Sequence, residues 1–342
     1  MSPPGTPNAG TVFVSYDSSS PYSAKPDVVQ VFAPNLRLLR TVTVGNGAGP
    51  IAVVPAGVPG AGTAYVLDQG QNMYVDAGNH APQVTLVTEI GLDGTTRTFS
   101  LPQTPQALAI APKDTPNAGT VYVVTFNGEF GSLVSISPDG TLRTIEQDVE
   151  DGQIAIAPAG TPYAGTVYVS VMADSYQGIR EVPPRGPNPG PVLYGLGDDG
   201  VIEAMAIAGP GTPHPGRLYV AGLSGLGDNS YKVLATDGPK QHTVVPHVGT
   251  DVMALAVSPQ GSSAGTLYAV VGSALLRVSP SGIPKRTHFK DVGRLLAIAP
   301  RAVPDAGTLF LNFGKSAGML DSRGHFVAMK PNSSFYALQV YG

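Results

Sequence analysis

Side chains able to move protons or hold ligands are scattered through this sequence and form no linear motif. Six histidines occur, His80, His214, His242, His247, His288 and His325, with no HxxxH or HExxH pair. A His-ligated zinc or copper site therefore has no basis in the spacing. No GxSxG elbow is present, so the local signature of a serine nucleophile is missing. The absence of Cys excludes a thiolate nucleophile, a thiolate metal site and any disulfide. Gly222-Leu223-Ser224-Gly225-Leu226-Gly227 resembles a phosphate loop, but no βαβ pattern follows, and it reads as a flexible loop. What remains is a set of acids, amides, tyrosines and one imidazole. Their meaning depends on where the fold places them.

The elements that would place them follow a repeat. One unit runs Leu108-Ala109-Ile110-Ala111-Pro112, then a Pro/Gly loop, then Gly119-Thr120-Val121-Tyr122-Val123. Two more β-like segments follow, separated by Pro138-Asp139-Gly140. The glycine before the second strand recurs at Gly10, Gly62, Gly119, Gly165, Gly216, Gly265 and Gly307. An aromatic residue follows each time: Phe13, Tyr65, Tyr122, Tyr168, Tyr219, Tyr268 and Phe310. Copies spaced about 50 residues apart match four-stranded propeller blades. The expected fold is all-β: a seven-bladed β-propeller with four-stranded blades, a single domain over 1–342. The first-strand pattern reappears at Leu338-Gln339-Val340. The C-terminal strand, about 336–342, is therefore expected to close the ring by pairing into the first blade, about 11–45. Closure would remove open sheet edges.

The repeat also sorts the polar residues. Pro/Gly loops between first and second strands recur in every unit and read as scaffold. The connections that do not repeat lie on the opposite face, and function usually sits on such loops. The long ones are 16–27, 68–82, 126–131, 172–178 and 223–230. Candidate catalytic residues at this mouth are His247, Asp68 and Asp174. Candidate ligand-binding residues are Tyr16, Asp17, Asn127, Glu129, Tyr176, Asp228 and Arg294. A wider set enters the first strands: Gln103, Glu150, Asp151, Gln153, Glu203 and Asp251. His247 is the imidazole nearest the channel and suits acid–base work near neutral pH. Carboxylates around one channel could hold Ca²⁺ or Mg²⁺, which take oxygen ligands. A wet polar rim without metal is the plainer reading.

Composition narrows the classes further. The net charge is −4 with no basic run, so the positive footprint of a nucleic-acid binder is missing. No stretch approaches the roughly 20 apolar residues of a membrane span. The N-terminal Met1-Ser2-Pro3-Pro4 shows no signal-peptide pattern. The expected protein is a soluble monomer, either cytoplasmic or secreted with its signal peptide absent.

Ile154-Ala155-Ile156-Ala157-Pro158 through Gly165-Thr166-Val167-Tyr168-Val169 resembles the NHL repeat, and Val66-Leu67-Asp68 and Ser15-Tyr16-Asp17 echo its strand ending. The similarity extends to the gluconolactonase-like and virginiamycin-lyase-like propellers. It implies a propeller fold and a range of activities from metal-dependent lactonase and lyase to pure binding platform. The lactonase-like metal set and the lyase-like His and Glu pair find no matching motifs here. The Trp of sialidase-type and WD40 repeats is absent, since the chain has no Trp. The expected function is a non-redox small-molecule enzyme acting by lactone hydrolysis, elimination or cyclisation. The alternative is a non-catalytic binding module for a protein, peptide or glycan.

Overall fold

The structure is a computed structural model. It describes residues 2, 5–16, 27–33, 37–45, 47–68, 85–127, 131–173, 176–184, 190, 192–195, 200–225, 230–237, 240–259, 263–289, 296–298, 309–313, 316–320 and 326–329. Alternating β-branched and small residues between Gly-rich turns produce strands throughout. The first sheet holds β1 (Val12–Tyr16), β2 (Val28–Phe32) and β3 (Leu38–Thr43). The second holds β4 (Ala48–Val53), β5 (Ala64–Asp68), β6 (Leu86–Ile90) and β7 (Thr96–Ser100). The third opens with β8 (Thr104–Ile110), β9 (Val121–Phe126) and β10 (Gly131–Ile136). It continues through β11 (Leu142–Ile156), β12 (Val167–Ala173), β13 (Tyr176–Val182) and β14 (Val192–Gly195).

The fourth sheet holds β15 (Val201–Ile207), β16 (Leu218–Leu223), β17 (Tyr231–Asp237) and β18 (Lys240–Val245). The fifth holds β19 (Val252–Val257), β20 (Leu267–Val271), β21 (Ala274–Val278) and β22 (Pro284–His288). The sixth holds β23 (Leu296–Ile298), β24 (Leu309–Phe313), β25 (Ser316–Leu320) and β26 (Phe326–Met329). In every sheet the strands pair in chain order. The first strands of successive units lie beside one another, β4 by β8, β11 by β15, β15 by β19 and β19 by β23. The result is an all-β, propeller-like arrangement.

The expectation of seven separate four-stranded blades is overturned. Among the described residues there are four four-stranded sheets, one of three strands and one of seven. The cause is β11. Its first half pairs with β10, from Leu142 to Val149, and its second half pairs with β12, from Val149 to Ile156. The ladder therefore passes through where a break between blades was expected. The expected closing strand at 336–342 lies outside the described residues, and the first sheet counts three strands.

The core lies between successive sheets. The aromatic column shows how: each described ring inserts toward the next unit. Tyr65 packs with Leu108, Ile110 and Val121, Tyr122 with Val167 and Val169, and Tyr219 with Leu267 and Ala269. Fully burying such a side chain is worth about 1.5–3 kcal/mol. Small Ala residues on the first strands let the sheets approach where they crowd together. No helix among the described residues is long and apolar enough to cross a membrane.

The Pro138-Asp139-Gly140 turn is built as the sequence suggests. Gly140 has φ +86°, which a side chain rarely tolerates. Asp139 Oδ1 accepts the Thr141 amide at 2.9 Å and the Ser137 hydroxyl. The Ser137 bond first, then the Thr141 amide, hold the Asp139 carboxyl down at about 2. A side-chain NMR titration is expected to find its midpoint there, and a midpoint near the ordinary value of about 3.9 would deny those bonds. The folded value lies below the unfolded one. The turn's ionic contribution is thus present above the unfolded pKa and fades as pH falls through the folded value.

Candidate functional site

The first strands carry a shared irregularity at the end opposite the Pro/Gly loops. In β15 the pairing register slips between Ile202 and Ala204, so Glu203 is the extra residue of a bulge. The same slip falls between Val252 and Ala254 in β19, and between Pro105 and Ala107 in β8. A bulge breaks the strict alternation of a strand and re-aims a side chain. In β15 the re-aimed side chain is a carboxylate.

Side-chain oxygens fasten these bulged ends to their neighbours. Glu203 Oε2 accepts the Val252 amide at 2.7 Å, joining β15 to β19. Gln177 Oε1 accepts the Ile202 amide at 2.6 Å, joining β13 to β15. The Gln153 amide donates to Ser170 Oγ at 3.2 Å, joining β11 to β12. Together these contacts hold the lip of a cavity of about 650 Å³, lined by Phe126, Gln153, Gln177, Glu203, Asp251 and Met253 among others. That volume is in the range of small-molecule sites.

Glu203 is half-buried. Burial pushes its carboxyl above the ordinary value, the Val252 amide pulls it partly back, and the negative Asp251 pushes it up again. Tyr231, the first residue of β17, is also pushed up, by burial first, then by donating its hydroxyl to Asp251, then by the charges of Glu203 and Asp251. Tyr231 therefore stays protonated near neutral pH and acts as a hydrogen-bond donor. The geometry combines a carboxyl held above its ordinary value with a protonated phenol close by, at the edge of a roomy cavity.

Several sequence-selected residues lie elsewhere. Asp68, at the end of β5, is 2% exposed. A Cβ on residue 45 would sit 1.3 Å from its Oδ2, so its carboxylate is seated on the Gly45 backbone. It does not line the cavity. His247 is exposed in the connection between β18 and β19, four residues ahead of Asp251. Asn127 is exposed just after Phe126. Tyr16 and Tyr176 stand at the ends of β1 and β13, where the backbone alone is described. Asp17, Glu129, Asp174, Asp228 and Arg294 lie outside the described residues. Gln153, Glu203 and Asp251, from the wider set entering the first strands, do line the cavity. Sequence reasoning missed Gln177 and Tyr231. A signal existed for Tyr231, which opens the third strand of its unit as Tyr176 opens β13.

Calcium or magnesium in the channel was a further expectation. Among the described residues, no group of three or more His, Cys, Asp or Glu could hold a metal ion. Glu203 and Asp251 are two carboxylates, short of the six to eight oxygens of a calcium site. The described residues alone do not fit either ion.

No family model matches this chain. No curated protein matches it either. Solved structures do. A functionally unknown protein from Desulfotomaculum acetoxidans superposes with TM-score 0.64 at 15% identity, covering 97% of this chain and 99% of that one. A protein assigned as a 6-phosphogluconolactonase from Bacteroides uniformis gives TM-score 0.55 at 14% identity, covering 95% and 97%. A catalytically inactive virginiamycin B lyase from Staphylococcus aureus, with quinupristin, gives TM-score 0.53 at 15% identity, covering 82% and 83%. At these identities the likeness is one of fold, and it agrees with the resemblance to lactonase-like and lyase-like propellers read from the repeat.

Proposed function

We propose that this chain is a non-redox small-molecule enzyme whose reaction is hydrolysis of a lactone, elimination or cyclisation, with Glu203 moving the proton. The observation that carries the reading is Glu203 itself: a half-buried carboxyl with a raised pKa, at a bulge, lining a cavity of about 650 Å³. Deprotonated, it can take a proton from an attacking water or from a carbon beside a carbonyl. It can then return that proton to the leaving oxygen. Tyr231 keeps Asp251 in place and stays neutral while it does so. The fold likeness to a lyase and to an assigned lactonase supports these reaction classes.

The test is turnover of a panel of alkyl and aryl lactones, with quinupristin added, by the wild type and Glu203→Gln. The glutamine keeps an oxygen for the Val252 amide, so the thermal midpoint should hold. Removing a general acid–base group is expected to lower kcat by about 10²–10⁴-fold. In the wild type, kcat/KM should rise with pH through a value above the ordinary Glu range, and this limb should vanish in the variant. His247 is the second candidate, and His247→Ala is expected to keep turnover within about threefold. Equal turnover by wild type and Glu203→Gln would remove Glu203 from the chemistry. Ligand binding without any turnover would favour the binding-module alternative.

A further inference from the structure

We infer that the ligand of this cavity carries a positively charged nitrogen, seated against Asp251 and facing Phe126. The inference rests on the reading of the cavity as a small-molecule site and adds the chemical class of what enters it. Among the described lining residues the acids are Glu203 and Asp251, and the other polar side chains are the neutral amides of Gln153 and Gln177. No Lys, Arg or His is found among the described lining residues. An anionic ligand would therefore meet two like charges, the half-buried Glu203 and the exposed Asp251, and water screens the first less than the second. A cation meets two opposite charges there. Phe126 also lines the cavity, and an aromatic ring that presents its face attracts cations.

Division of labour supports the assignment. Glu203 is tied by one oxygen to the Val252 amide and is half-buried. Asp251 is exposed and sits at the entrance of β19. A charged substrate nitrogen resting on Asp251 would leave Glu203 to the reacting atoms. Its positive charge would also lower the repulsion between the two carboxylates, so binding and proton transfer would be coupled.

The test uses the full chain and two probes of similar size, benzyltrimethylammonium and benzoate, titrated by calorimetry at low salt. The cation is expected to bind at least tenfold more tightly than the anion. Asp251→Asn should weaken cation binding at least fivefold, and so should added salt. Asp251→Ser serves as a second variant, and a thermal melt checks that each is folded. Equal affinities, tighter benzoate binding or no binding of either probe would overturn the inference. The benzoate arm also answers for Arg294, which lies outside the described residues. Binding is read here without turnover, so the two failures separate. Cation binding with no turnover sinks the enzymatic reading alone, and turnover with benzoate preferred sinks the cation alone.

Discussion

Arg180→Leu is expected to lower the unfolding free energy by about 3–5 kcal/mol, at the lower end of that range, the loss typical of breaking a buried ion pair from one side. Arg180 Nη1 lies 2.7 Å from Glu146 Oε1. The Glu146 side chain is 8% exposed and that of Arg180 26%, so water reaches the cation more readily than the anion. Removing the guanidinium strands a buried carboxylate. Among the described residues, Glu146 Oε2 and Arg180 Nε have no hydrogen-bond partner. The contact is thus single-pronged, and Arg180→Lys should recover part of the loss. The pair links β11 to β13, two strands apart in the seven-stranded sheet. The double variant Glu146→Leu with Arg180→Leu should be much milder than Arg180→Leu alone, because no unpaired charge is left inside. Urea midpoints of the four proteins decide the matter. A single variant within about 1 kcal/mol of wild type would show that the pair contributes as little as an exposed one.

Asp27→Ala is expected to destabilise by about 2–5 kcal/mol. Asp27 is fully buried just ahead of β2. Its Oδ2 accepts the Gly47 amide at 2.6 Å and the Ala48 amide at 2.9 Å. Alanine leaves two amide donors without this acceptor, at about 1–3 kcal/mol each. The Ala48 amide is the more deeply placed, and water can reach the Gly47 end more easily. Asp27→Asn keeps one acceptor oxygen but brings two unwanted donors, so an intermediate loss is expected. The same bonds position the start of β4 against the first sheet. Hydrogen exchange at Ala48 should therefore quicken in Asp27→Ala before exchange in the middle of β5 does. An unchanged urea midpoint would mean that the lip of β4 is held by something else.

Much of the architecture was legible because side-chain volume repeats with the units. Tyr65, Tyr122 and Tyr219 sit at one position of the repeat and fill one kind of space between sheets. The seven-stranded sheet was not legible. Val149-Glu150-Asp151-Gly152 reads as a break, because Asp-Gly ordinarily turns a chain. Here Asp148 at φ 58° and Gly152 at φ 100° absorb the irregularity, and the strand carries on through it. A turn dipeptide reports that the backbone deviates, and it is silent on whether the ladder ends.

The site was half legible for a related reason. Position relative to the first strands pointed to Gln153, Glu203 and Asp251. Residue type drew attention instead to His247 and Asp68, which are respectively exposed and seated against Gly45. A better signal lay in the column two places before Leu108, Ile154, Met205 and Leu255. It reads Gln106, Gly152, Glu203 and Met253. Glu203 is the one acid in a column that also holds Arg294, two places before Leu296, and the register slip between Ile202 and Ala204 re-aims it.

The course of β11, one strand whose two halves meet at Val149, bears on the size of the energetic module. The sequence repeats in units of about 50 residues, and a repeat protein built only from such units would open and close them one at a time. A break in the chain inside β11 would cut a strand that both β10 and β12 need. The sheet from β8 to β14 is therefore expected to protect its amides from exchange as one unit, twice the length of the motif that encodes it. Elsewhere the described sheets follow the repeat unit by unit, but at this joint two units share one strand.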